Sequence, residues 1–92
     1  MADLHVRVTG IVQGVGFRWF ARERARRLGL DGWVRNLADG SVEVLATGES
    51  GQLQLLRDEL QRGPDGAVVD QLVELPQAGD PPVVHPFDII RR

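Results

Sequence analysis

The segment Leu4-His5-Val6-Arg7-Val8-Thr9-Gly10-Ile11-Val12-Gln13-Gly14-Val15-Gly16-Phe17-Arg18-Trp19-Phe20 decides the fold. In its first half, apolar Leu4, Val6 and Val8 alternate with His5, Arg7 and Thr9, the period of a half-buried strand that runs to about Val12. The turn Gln13-Gly14-Val15-Gly16 ends the strand, and the periodicity then changes. Phe17, Phe20, Ala21, Ala25 and Leu28 recur at helical spacing, Arg22, Glu23, Arg26 and Arg27 fall largely outside that stripe, and Gly29 supplies the stop. A strand that passes straight into a helix through a two-glycine turn is the first β-α unit.

Beyond Gly29 the pattern returns to strands. Gly32 to Leu37 and Ser41 to Thr47 are joined by Ala38-Asp39-Gly40, and Asp-Gly is a strong antiparallel hairpin signal because both residues tolerate positive φ. A second helix runs from Ser50, as N-cap, to Arg62, with Leu53, Leu56 and Leu60 on one stripe and Gly63-Pro64 at its end. Ala67 to Leu75 and Phe87 to Arg91 are further strands, and Pro76 to Pro86, with Pro81-Pro82, is the least ordered stretch. The order β-α-β-β-α-β predicts an α+β, ferredoxin-like sandwich, with two helices on one face of an antiparallel sheet, as one domain over residues 1–92.

Composition narrows the chemistry. The 92 residues contain no Cys, Lys or Tyr, so there is no thiolate nucleophile, cysteine zinc site, Schiff base or Walker-type lysine. His5 and His85 lie at opposite ends with no Cys or His at ligand spacing, so neither metal nor other cofactor is expected. Eleven arginines against thirteen acids leave a net charge of −2, which argues against a dedicated nucleic-acid binder. Met1-Ala2-Asp3 leads directly into a strand and no apolar run is long enough to span a bilayer, so a cytoplasmic monomer with no membrane partner is expected.

The chemistry concentrates at residues 12–18. Successive N–H groups in such a turn can form an anion-binding nest, joined by the unpaired donors and positive dipole end of the helix that follows. Glycine at 14 and 16 permits positive φ and leaves no Cβ between an anion and the backbone. Arg18 falls in the first helical turn, where a cation opposes the dipole unless an anion is bound, and its guanidinium offers a bidentate fork for phosphate oxygens. Taken alone, the same residues also describe a tight β-to-α connection followed by a solvated arginine. Asn36 is the second unusual placement, a carboxamide near a strand end on the face of Val34. It could hold a water by donating and accepting at once, or bond to the Asp39 turn.

Together these motifs resemble the acylphosphatase family. The likeness runs from Gly10-Ile11-Val12-Gln13-Gly14-Val15-Gly16-Phe17-Arg18 through Leu28-Gly29-Leu30 and Gly32-Trp33-Val34-Arg35-Asn36 to Asp39-Gly40-Ser41-Val42-Glu43, and more loosely to Phe87 and Ile89. It implies the same β-α-β-β-α-β sandwich and hydrolysis of the carboxyl-phosphate bond of a small-molecule acyl phosphate. It further implies that Arg18 and the backbone N–H groups of Gln13, Gly14, Val15, Gly16, Phe17 and Arg18 bind the phosphoryl group, while Asn36 positions the attacking water. Trp19 and Pro81-Pro82 are individual features and not family marks.

Two other readings share the element order. RNA-recognition domains have it, but they stack bases on sheet aromatics, and Ser41 to Thr47 has none and carries Glu43. The Arg22, Arg24, Arg26 and Arg27 cluster then reads as a solvated helix face partly balanced by Glu23. A non-catalytic acylphosphatase-like module, such as the one that opens hydrogenase-maturation carbamoyltransferases, is the other. A chain that starts at Met1 and ends soon after its last strand favours the free-standing enzyme. Trp33 reads as core or as a wall of the site beside Asn36, and His85 as a loop residue.

Overall fold

In a computed structural model, residues 2–77 and 80–91 are described. The chain forms strand Ala2–Ile11 (β1), helix Phe17–Arg27 (α1), strands Asp31–Asn36 (β2) and Val42–Gly48 (β3), helix Ser50–Arg62 (α2), and strands Val68–Glu74 (β4) and Asp88–Ile89 (β5). The sheet order is β4-β1-β3-β2-β5. The first four strands pair antiparallel, as expected, with Val6 opposite Val44 and Val34 opposite Val44 in the central registers. The short β5 adds a parallel edge beside β2, Val34 facing Ile89, so the sheet is mixed.

Alternation explains the layers. Leu4, Val6 and Val8 of β1, Val34 of β2 and Val42, Val44 and Ala46 of β3 share one face with Phe17, Ala21 and Ala25 of α1 and Leu53, Leu56 and Leu60 of α2, and together form the core. Both helices therefore cover the same side of the sheet. α2 begins differently from the expectation: Glu49 is the N-cap, without a side-chain cap, and Ser50 lies inside the helix. In the 37–41 hairpin the Leu37 N–H donates to the Ser41 carbonyl (2.9 Å) and the Gly40 N–H to the Leu37 carbonyl (3.2 Å). Of the Asp39-Gly40 pair, Gly40 alone takes positive φ; Asp39 instead accepts bonds from the Ser41 N–H and hydroxyl.

The opposite sheet face is also covered. Trp33 is fully buried there, and its indole N–H donates to the Pro81 carbonyl at 3.0 Å. The Gly32 N–H donates to Val84, so the Pro76 to Pro86 stretch, read from sequence as the least ordered, is tied to the sheet on both sides of Ala78 and Gly79, which lie outside the described residues. Beside Trp33, the Glu43 carboxylate is 2.6 Å from His5 Nε2 and accepts from Arg35 Nε at 2.7 Å. His5 Nδ1 faces the Pro76 carbonyl at 2.5 Å, and the Arg35 guanidinium lies 5.1 Å from the centre of the Trp33 ring. The arginines of α1 are likewise not simply solvated: Arg24 reaches Glu59 of α2, and Arg26 donates to the Phe87 carbonyl ahead of β5.

Candidate active site

At the end of β1 the chain turns through Gly14 and Gly16, both at positive φ (76° and 77°), into α1. Gly16 is the N-cap, and it supplies no side chain to cap the helix; the first turn carries no acid either. The first intrahelical bond runs from the Phe20 N–H to the Gly16 carbonyl, at 3.0 Å. Consequently the N–H groups of Phe17, Arg18 and Trp19 lack intrahelical acceptors and meet the dipole's positive end. A Cβ on Gly14 or Gly16 would meet no protein atom within 4 Å, so the space beside both glycines is open.

A pocket of about 150 Å³ lies over this turn, lined by Val12, Gly14, Gly16, Phe17, Arg18, Trp19, Asn36 and Ile89. Four elements build it: the β1-to-α1 turn, the first turn of α1, the C-terminal end of β2, and β5. Asn36 stands at the last position of β2, on the helix-covered side of Val34 but exposed past the core. Its carboxamide makes no hydrogen bond to any described residue, so it does not bond to the Asp39 turn. Arg18 is half-buried and pairs with no acid among the described residues, whereas Arg7, Arg22, Arg24, Arg26, Arg35, Arg57 and Arg62 all do. A cation and a carboxamide, both without partners among the described residues, thus line one pocket together with Gly14, Gly16 and the first residues of α1.

Two residues of the expected phosphate loop do not line this pocket. Val15 packs its side chain against the core. Gln13 turns its amide away and donates to both the Leu37 carbonyl (2.8 Å) and the Ser41 carbonyl (2.9 Å). The turn is thereby fastened to the hairpin that follows Asn36, a role that sequence spacing did not signal because the two segments meet only in the folded chain. Trp33 stands on the opposite sheet face and does not wall the site, since it is one residue out of phase with Val34. Ile89 and Trp19 do border the pocket. Trp19 was legible as a neighbour of Arg18, but Ile89 depends on the parallel pairing of β5 with β2.

Electrostatics favours an anion here. A larger concavity, about 360 Å³, opens at the other end of β1, but its lining includes Asp3 and Glu74, the wrong sign for phosphate. Near the pocket, the carboxyl of Asp88, next to Ile89, is held below its ordinary range, first by the Ile89 N–H, which with the charges of Arg26 and Arg22 outweighs the opposing effect of burial. Asp39, in the hairpin, is lowered first by the Ser41 hydroxyl and then by the Ser41 N–H. No group of three or more His, Cys, Asp or Glu side chains placed to hold a metal ion occurs among the described residues.

A ferredoxin-like sandwich whose first β-to-α turn leads into a helix with uncapped N–H groups, beside an arginine with no acidic partner among the described residues, defines the class: a small α+β domain with a two-glycine turn open at a helix N-terminus. The chain belongs to the acylphosphatase family, whose sequence profile matches residues 4–89. It is 61% identical over 66 residues to the acylphosphatase of Pseudomonas paraeruginosa, 72% of each chain. The crystal structure of acylphosphatase from Bacillus subtilis superposes with a TM-score of 0.83 at 35% identity, over 98% of this chain and 99% of that one. Full-length HypF, in its phosphate- and nucleotide-bound form, contains a similar region: TM-score 0.73 and 26% identity, over 96% of this chain and 11% of HypF.

Proposed function

We propose that the acyl phosphate hydrolysis which family membership assigns to this chain takes place in the pocket over the 12–18 turn, with Arg18 and the turn's N–H groups holding the phosphoryl group and Asn36 holding the water. The observation that carries this reading is that Arg18 and Asn36, from different elements and unpaired, line one pocket.

The reaction needs little more. Water oxygen bonds to phosphorus, the bond between phosphorus and the carboxyl oxygen breaks, and the carboxylate leaves with that electron pair. Phosphoryl transfer passes through a loose transition state, so catalysis is mostly positioning and stabilising charge on the equatorial oxygens. Backbone N–H groups and a guanidinium supply that stabilisation without titrating at neutral pH. The carboxamide of Asn36 accepts a hydrogen bond from the water and orients its lone pair toward phosphorus. A carboxylate is a good leaving group and needs no general acid, and the water's proton passes to a phosphate oxygen. In accord with this, His5 is engaged by Glu43 and Pro76 and His85 by Asp31, away from the pocket.

The nucleic-acid alternative loses its surface. The sheet face on which such domains stack bases carries here the Pro81 and Val84 contacts and the His5-Glu43-Arg35 cluster, and Trp33 on it is fully buried. Phosphate release from acetyl phosphate by purified wild type, Arg18→Ala and Asn36→Ala tests the proposal. The first variant should lose about 10³-fold in kcat/KM and the second about 10²-fold in kcat, with folding intact by circular dichroism. Near-normal turnover by either folded variant removes that residue from the mechanism.

A further inference from the structure

Building on the phosphate site just described, we propose that Trp19, backed by Ile89, contacts the acyl group and sets how strongly this chain discriminates between aromatic and short aliphatic acyl phosphates.

Trp19 is unusual among the described residues. Its side chain is in the first turn of α1, and the residue is 59% exposed. Of the exposed large apolar residues, Ile11, Trp19, Leu55, Val68 and Val83, it alone lines this pocket. The other aromatics nearby are accounted for: Phe17 is buried against Phe20, Arg24 covers Phe20, and Trp33 bonds to Pro81 under Arg35. Trp19 has no ring or hydrogen-bond partner among the described residues. A large ring held in water beside a polar cradle is what a subsite for apolar surface requires.

Connectivity then places the acyl group. In the pocket, about 150 Å³, the phosphoryl group sits on the turn's N–H groups and the attacking water at Asn36. The acyl carbon is one bridging oxygen from phosphorus, so the rest of the acyl group must leave through the mouth of the same pocket. Apart from the phosphate contacts and Asn36, the pocket's lining is apolar: Val12, Trp19 and Ile89. A benzoyl ring offers the indole a face or an edge to stack on, which an acetyl methyl group does not.

The test compares kcat/KM for benzoyl phosphate and acetyl phosphate in wild type, Trp19→Ala, Trp19→Phe and, as a surface control, Leu55→Ala. Taking the benzoyl-to-acetyl ratio within each protein cancels the intrinsic difference in reactivity. Trp19→Ala should lower that ratio about 3- to 10-fold, mainly through KM for benzoyl phosphate, and Trp19→Phe should recover most of it. Leu55→Ala should leave the ratio where it is. An unchanged ratio in folded Trp19→Ala, or an equal loss on both substrates, overturns the subsite. Failure of the underlying phosphate-site reading is a separate result: Arg18→Ala would then keep wild-type turnover on both substrates, whatever Trp19 does.

Discussion

Replacing Gln13 by Ala removes two hydrogen bonds without touching the pocket. The side-chain amide donates to Leu37 (2.8 Å) and Ser41 (2.9 Å), and both carbonyls keep another donor: Leu37 accepts from the Gly40 N–H and Ser41 from the Leu37 N–H. No acceptor is orphaned, so the loss is two ordinary bonds, about 1–3 kcal/mol together. For a domain of this length that lowers Tm by about 4–8 °C per kcal/mol. Activity should suffer in a particular way. The phosphate contacts proposed for the turn are backbone N–H groups and survive, so KM should hold within about twofold, whereas the hairpin that follows Asn36 is no longer fastened to the cradle. A water misplaced by about 1 Å costs up to about 10²-fold, so kcat should fall by about 10-fold or more. Gln13→Glu sharpens the test, because at neutral pH its carboxylate faces two carbonyls with no proton to donate. Its deficit should exceed that of Gln13→Ala at pH 7 and shrink toward pH 4, where a protonated carboxyl regains one donor. Urea melts with steady-state kinetics on acetyl phosphate measure both quantities. Wild-type kcat in Gln13→Ala, whether or not its Tm falls, would refute the idea that this amide holds cradle and water site in register.

Glycine substitutions should divide by cause. A Cβ on Gly32 would stand 1.9 Å from the Leu45 carbonyl oxygen, so Gly32→Ala must push β2 off β3 and should lose at least about 3 kcal/mol in a urea melt. Gly14→Ala meets no protein atom and should lose only the roughly 1–2 kcal/mol of its φ of 76°. The lowered carboxyl of Asp39 contributes stability that is present above the unfolded-state value near pH 3.9 and is lost as pH falls through the folded one. Asp39→Asn should accordingly flatten the fall in stability below pH 4, read from Tm against pH. Glu43→Gln, on the covered sheet face, weakens charged contacts with Arg35 and His5 and should lower stability by about 1–3 kcal/mol while phosphate release at saturating acetyl phosphate stays at the wild-type level.

Much of the fold was legible because it rests on local rules. Alternation at Leu4, Val6 and Val8, the helical stripe from Phe17 and the Asp39-Gly40 turn each report on their own backbone, and all appear in the structure within a residue or two of the expected bounds. One error is local, a cap displaced by one residue; the larger one occurs where a residue's partner is distant in sequence. Ser50 has the chemistry of an N-cap, but Glu49 takes that position. Pro76 to Pro86 lacks periodicity and reads as loose, yet the indole of Trp33 and the N–H of Gly32 bond to two of its carbonyls.

The same division runs through the site. Gly14, Gly16, Arg18 and Asn36 stand out in the sequence because each is locally anomalous: positive-φ positions before a helix, a cation at the positive dipole end, a carboxamide at a strand end. Sequence by itself therefore determined the secondary elements, the two-glycine turn and the residue types near it. Only the tertiary structure decided that Arg18 and Asn36 border one pocket, that the Gln13 side chain faces the hairpin, and that Trp19 and Ile89 line the same pocket. The physical reason is that backbone conformation follows from neighbours along the chain, whereas a pocket is made by side chains from separate strands and helices, whose meeting depends on strand pairing and core packing.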